Sequence, residues 1–249
     1  MNEINFWNGN KSSYRQLYEF ELLELLLSAT QRSGTNTSII NDLTDYPSAE
    51  DEGNVFENGT DVLVTVKGNA KFAGKRFIEL PYSITKDLLG QRIPFIRSRD
   101  LAHFANPEAL KTAKCGVPET WVDAELYRQN EFNVIESGSF EDVFERLSDG
   151  EFDYVCFGAN EALDIYENRV IDKGAIIMAP DVMIEYSFPL VFYVNADRPQ
   201  LAERLMAGFE EISRSGAFSE LYSRYFGSFE TKLSLDKRQR LLLNNPFIA

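Results

Sequence analysis

A single histidine, His103, is the only imidazole this chain could offer to a reaction. It precedes Phe104, and no Gly-x-Ser-x-Gly accompanies it, so a His-based triad would rest on this residue alone; a surface histidine is the simpler reading. Asp149, Glu151 and Asp153 alternate around Gly150, but a calcium loop of the EF-hand kind needs a longer acidic run closed by Glu. A turn that ends a helix fits these residues better. "GNAKFAGK" spaces its glycines one residue too far apart for a P-loop, and no Ser or Thr follows Lys75. Cys115 and Cys156 form no Cys-x-x-Cys pair and have no metal-like spacing. Both lie in apolar runs and read as free thiols on neighbouring strands. We therefore expect no catalytic residue, no metal and no cofactor.

Residues suited to holding a ligand are easier to find. Thr120, followed by Asp123, has the logic of a capping box, and the helix it would open could offer its first N–H groups to an anionic ligand group. Trp121 beside it could stack on a ligand or pack beneath one. Asn160 and Glu161 begin a helix after "FDYVCFG" and could donate to or accept from a ligand, or simply cap that helix. Trp7 ends the first strand, Tyr14 lies in the loop after it, and Tyr82 follows Pro81; aromatic side chains in such places commonly wall a pocket. Arg92 sits in a strand, where a buried guanidinium needs an anionic partner, either ligand or carboxylate.

The elements that would position these residues follow from periodicity. "EINFW" reads as a strand. Tyr18, Leu22, Leu25, Leu26 and Ala29 fall on one helical face, with Gly34 as the stop. "TSIIND" is a strand, "SAEDEGNVFENG" a short helix, and "DVLVTV" a strand apolar enough to be covered on both sides. After a turn-rich middle section and a strand over Ile93–Arg97, the pattern restarts with "AKCGV", "DAELYRQN", "FNVIES", "FEDVFERLSDG" and "FDYVCFG". The restart explains why "NVFENGTDVLVTV" is echoed by "DVFERLSDGEFDYVCFG": both place a helix, a glycine turn and a buried strand at equivalent points of two βαβαβ units. Later, "SFPLVFYVN" reads as a long strand. Leu201, Leu205, Gly208, Phe209 and Ile212 share a helical face with Asp197 as N-cap, and Phe218, Leu221, Tyr222 and Tyr225 share another ended by Gly227. The fold class is α/β, with two lobes, each a mostly parallel sheet flanked by helices. Residues 1–97 and 196–249 are expected in one lobe and 98–195 in the other. A small-molecule ligand is expected in a cleft between them, at the carboxyl ends of the strands.

Composition agrees with a binding role. With 25 basic against 39 acidic residues and a formal net charge of −14, the chain lacks the clustered cations that nucleic-acid binding requires. No apolar run approaches the ~18 residues of a membrane helix. "INFW" follows Met1-Asn2-Glu3 with no signal peptide in view, which leaves open a cytoplasmic protein or a chain in mature form.

"GSFEDVFERLSDGEFDYVCFGANEA" together with "LVFYVNADRPQLAERLMAGFEEISRSGAFSELYSRYFG" resembles the type II periplasmic solute-binding proteins of family 3, receptors of polar amino-acid ABC transporters. "LLGQRIPFIR", "DLAHF", "ETWVDAEL" and "NNPF" look more like a poorly characterised branch of that superfamily. The resemblance covers about residues 4–246. It implies a periplasmic, non-catalytic receptor whose signal peptide has been removed, a monomer that serves a membrane permease. A sensory receptor of the same fold is the alternative, and a cleft enzyme such as a dehydratase a further one. Departures are visible as well. Amino-acid receptors of the family usually carry Thr-x-x-Arg before a Phe-Ser-x-Pro-Tyr, the Arg gripping the ligand carboxylate. Here Pro81-Tyr82 is kept, but Asn69-Ala70-Lys71-Phe72 stands upstream. The usual ammonium-binding Asp falls near Phe157-Gly158, and Phe157 stands where the branch often has Arg. Ordinary α-amino acids are therefore expected to bind weakly or not at all.

Overall fold

The computed structural model describes residues 2–31 and 37–248, and the chain divides into two compact units. Unit 1 comprises Met1–Ile84 and Leu190–Gly227; unit 2 comprises Thr85–Pro189 and Ser228–Ala249.

Unit 1 is built on a five-stranded sheet in the order β2-β1-β3-β11-β4: β1 Asn2–Trp7, β2 Thr37–Asp42, β3 Val62–Val66, β4 Phe77–Glu79 and β11 Leu190–Asn195. β1 pairs in parallel with both β2 and β3, and β11 runs antiparallel to β3 and β4. Between β1 and β2 lies α1, Ser13–Ala29, whose Ser12 cap accepts from the Arg15 N–H. Its buried stripe is Tyr18, Glu19, Leu22, Leu23, Leu26 and Leu27, so the apolar face is rotated from the expected one, and Ala29 is exposed. The helix ends at Ala29 with Thr30 as cap; Gly34, the expected stop, lies outside the described residues. α2, Ala49–Gly53, is capped by Ser48. Helices α7 (Pro199–Ser215) and α8 (Ala217–Phe226) complete the unit. α7 buries Leu201, Leu205, Gly208, Phe209 and Ile212, the face read from the sequence, but its cap is Arg198, with Pro199 in the first turn.

Unit 2 carries a seven-stranded sheet, β12-β10-β5-β8-β6-β7, with β9 paired to β5. Its strands are β5 Gln91–Arg97, β6 Lys114–Val117, β7 Asn133–Glu136, β8 Tyr154–Gly158, β9 Ile176–Met178, β10 Val182–Glu185 and β12 Gln239–Leu242. Helices α3 Ala109–Thr112, α4 Asp123–Gln129, α5 Val143–Asp149, α6 Ala162–Arg169 and α9 Phe229–Lys232 flank it. α5 stops on Gly150 in the left-handed region at φ 80°, the turn expected from Asp149-Gly150. β6 pairs in parallel with β7 and β8, whereas β5 is antiparallel to β8.

The two sheets repeat one arrangement: β2-β1-β3-β11 corresponds to β7-β6-β8-β5, with the antiparallel strand fourth in each. The echoed sequences supply β3 and β8, both centrally placed. The unit boundaries differ from the expected ones. β5 belongs to unit 2 and β11 to unit 1, and residues 228–249 return to unit 2. The reason is backbone pairing: β5 hydrogen-bonds to β8, β11 to β3 and β12 to β10, so each strand goes with the partner that satisfies its N–H and C=O groups. Cys115 and Cys156 lie on the paired strands β6 and β8 as buried free thiols.

Candidate ligand site

The strand directions in unit 2 collect chemistry on one sheet edge. β6 and β8 end there, and antiparallel β5 begins there, with Arg92 opposite Gly158. β10 ends beside the same point, with Ile184 opposite Arg92. Five segments deliver side chains to this edge: the start of β5, the turn after β6, the start of α4, the turn after β8, and the residues after β10.

Arg92 is the centre. Its side chain is 2% exposed and its Nη2 lies 2.8 Å from Asp123 Oδ1. The guanidinium also donates to the carbonyls of Leu89 at 3.3 Å and Cys156 at 3.2 Å. Burial by itself pulls the guanidinium's pKa down; Asp123, then Tyr186, Tyr127 and Glu161, more than reverse this and hold it well above its ordinary value. The hydroxyl of Tyr186 donates to the same Asp123 oxygen at 2.5 Å. Burial raises the phenol pKa of both Tyr186 and Tyr127, and burial likewise raises the Cys156 thiol to about 12. The cluster is thus an ion pair with neutral phenols and a neutral thiol around it. Within the protein, the anionic partner of Arg92 is the Asp123 carboxylate.

Around this frame stand the other expected residues of unit 2. Thr120 is not a helix cap: its φ is +70°, α4 begins at Asp123, and no side chain caps it. The Asp123 carboxylate, which a capping box would turn back to Thr120, is instead held by Arg92 and Tyr186. Trp121 is half-buried, its ring 5.8 Å from Phe157 and 6.1 Å from Phe140. Phe157 is wholly buried beneath Trp121, touching Phe95 and Phe144 as well. Glu161 occupies the cap position of α6 without a side-chain cap bond. Asn160 is 0% exposed, and neither its amide nitrogen nor its amide oxygen has a hydrogen-bond partner. A concavity of about 340 Å³ at the ends of β10 and β12 is lined by Asp87, Gln91, Glu185, Tyr186, Ser187 and Leu242. It adjoins the Arg92 frame through Gln91 and Tyr186 and takes in none of the residues expected from sequence.

In unit 1 the three expected aromatics do not converge. Trp7 is core, packed with Leu63, Phe72 and Tyr193, its Nε1 donating to the Thr44 carbonyl at 2.9 Å. Tyr14 donates its hydroxyl to the Tyr225 carbonyl and sets its ring against Tyr225 and Phe226. Tyr82 stacks on Phe209 of α7 at 4.5 Å. Lys71, in the stretch where the resemblance places a carboxylate-gripping Arg, is held by Glu52 at 2.7 Å, and Asn10 donates to the same Glu52 oxygen at 2.9 Å. Lys11, Arg15 and Glu19 form a further buried ionic group, at 2.6 Å and 2.9 Å. Sequence reasoning missed Asp123 as a partner of Arg92, and missed Tyr186 and Tyr127 altogether. Asp123 was legible only as a capping residue, and Tyr186, between Glu185 and Ser187, carries no spacing or motif to mark it. His103 is exposed in a turn with its ring edge on Phe104. Among the described residues no group of His, Cys, Asp and Glu is arranged to hold a metal ion, and no helix is long and apolar enough to cross a membrane.

No family model matches the chain, and no curated protein does. Solved structures do match. The probable amino-acid ABC transporter extracellular-binding protein ytmK from Bacillus subtilis superposes with a TM-score of 0.67 at 12% identity, covering 91% of this chain and 98% of that one. A histidine kinase sensor domain with similarity to periplasmic binding proteins gives 0.65 at 14% identity, over 90% and 96%. An amino acid ABC transporter substrate-binding protein from Streptococcus pneumoniae, bound to L-arginine, gives 0.61 at 9% identity, over 91% and 94%. The chain therefore has the mixed α/β fold of the type II periplasmic binding proteins, shared by transport receptors and a sensor domain.

Proposed function

We propose that this protein is an extracytoplasmic solute receptor that binds a small polar molecule at the strand-end edge of unit 2 and presents the bound form to a membrane permease. One observation carries the reading. That edge holds a rigid polar frame, Arg92–Asp123–Tyr186, next to a half-buried Trp121 and a buried Asn160, which suits recognition of a polar ligand. It offers no nucleophile paired with a base, so a cleft enzyme is the weaker reading. For a partner to sense binding, the ligand must favour one conformation over another. The sensor domain among the similar structures keeps a signalling receptor as the second reading.

A thermal-shift screen against amino acids, organic acids and oligopeptides tests the proposal, since a ligand that binds only the folded state raises the melting temperature. We expect a stabilising hit outside the ordinary α-amino acids, because Lys71 is engaged by Glu52 and no Asp follows β8 at Phe157-Gly158. Calorimetry with Trp121→Ala should then show weakened binding. Micromolar binding of an ordinary amino acid, unaffected by that substitution, would sink both the site and the ligand argument.

A further inference from the structure

We infer that the edge of the unit 2 sheet recognises an uncharged planar group carrying a donor beside an acceptor, a primary carboxamide or a ureide, through the side chain of Asn160. The inference rests on the receptor reading and specifies its ligand. Asn160 is 0% exposed, and both its Nδ2 and its Oδ1 are without hydrogen-bond partners. Its side chain folds back over the end of β8: a Cβ placed on Gly158 would lie 2.4 Å from Asn160 Oδ1 and 2.8 Å from Leu89 Cδ1. Glycine at 158 leaves the room that the amide occupies. Buried polar atoms are almost always hydrogen-bonded, and an amide offers two donor hydrogens next to an acceptor oxygen. The complementary ligand group presents the reverse pair.

Charge narrows the choice. A ligand carboxylate would satisfy Nδ2 alone and would set its negative charge near Glu161, the residue following Asn160. The cation beside this edge, Arg92, has both Nη atoms engaged, by Asp123 at 2.8 Å and by two backbone carbonyls. An ammonium or amidinium would satisfy Oδ1 alone. A carboxamide or ureide satisfies both atoms without bringing charge into the site. Trp121, half-buried over Phe157 three residues before Asn160, supplies a flat face for a planar group.

The test uses the full chain and four probes: nicotinamide and allantoin as carboxamide and ureide, nicotinate as the matched acid, and benzamidine as a cation of similar shape. Calorimetry on the wild type should show nicotinamide or allantoin binding at least about tenfold more tightly than nicotinate or benzamidine, the scale of one well-made hydrogen bond. Asn160→Ala should erase that preference, and Asn160→Asp should shift it toward benzamidine. The wild-type comparison decides even if either variant folds poorly. Nicotinate or benzamidine binding as tightly as the amides would overturn the inference, as would an amide preference that survives in a folded Asn160→Ala protein. If neither amide binds while another class of compound stabilises the protein, this inference falls and the receptor reading stands. If no compound of any class stabilises it, both fall.

Discussion

Arg92 keeps its charge where water hardly reaches because Asp123 and two carbonyls replace the hydration its Nη atoms have lost, although its Nε is buried without a partner. Such a pair adds little net stability over apolar residues of similar size, yet removing one partner strands the other charge in the interior. Arg92→Ala is therefore expected to destabilise the protein by about 3–5 kcal/mol, read from the urea midpoint. The double substitution Arg92→Leu, Asp123→Leu should recover most of that loss. A single-substitution cost below about 1 kcal/mol, the range of an exposed pair, would mean that the pair is solvated in solution. Residue type made Arg92 conspicuous in the sequence, and the need for an anion followed from it. Which anion could not be read, because Asp123 lies 31 residues away and looks like an ordinary helix-start acid.

At the scale of elements, α1 and α7 meet at a glycine. A Cβ on Gly208 would come within 2.6 Å of the Leu26 carbonyl oxygen, and backbone cannot swing aside as a flexible side chain can. Two effects of Gly208→Ala oppose each other. Alanine favours the helix by about 1 kcal/mol over glycine, while overpacking a tight contact costs about 1–3 kcal/mol. Overpacking should win, giving a net loss in chemical denaturation; a gain in stability would show that the helices do not approach so closely. The face of α7 was legible because apolar residues recur at helical spacing. That of α1 was misread by part of a turn, since Leu22, Leu23, Leu25, Leu26 and Leu27 allow more than one stripe and only packing on the sheet chooses among them.

For the whole molecule, the chain changes unit after Ile84, after Pro189 and after Gly227. The last crossing matters for stability. Residues 228–249 add β12 to β10 and bring in Arg238, which donates to the carbonyls of Leu233 at 2.7 Å and Val182 at 3.0 Å. Asn244 also exchanges hydrogen bonds with Asn130. Ending the chain at Gly227 should expose the edge of β10 and loosen unit 2 while sparing unit 1. Hydrogen exchange would show this as faster exchange in β10 and β5 with β1 and β3 unchanged; equal protection in both units would refute it.

The sequence by itself determined the local elements and their repetition. Alternating and helical apolar spacing depends on neighbouring residues, and so do the glycine that ends α5 and the continuous apolar runs of β3 and β8. The short strands β4, β9, β10 and β12 were not legible, because their three or four residues stand outside the strand-helix alternation that gave the equally short β6 and β7 away. Only the tertiary structure decided where β5, β11 and β12 pair, since a strand's partner is fixed by backbone hydrogen bonding across long separations. The same holds at the candidate site. Residue type could nominate Arg92, Trp121 and Asn160, but the Asp123–Tyr186 frame and the unpaired amide exist only once distant strand ends share one edge.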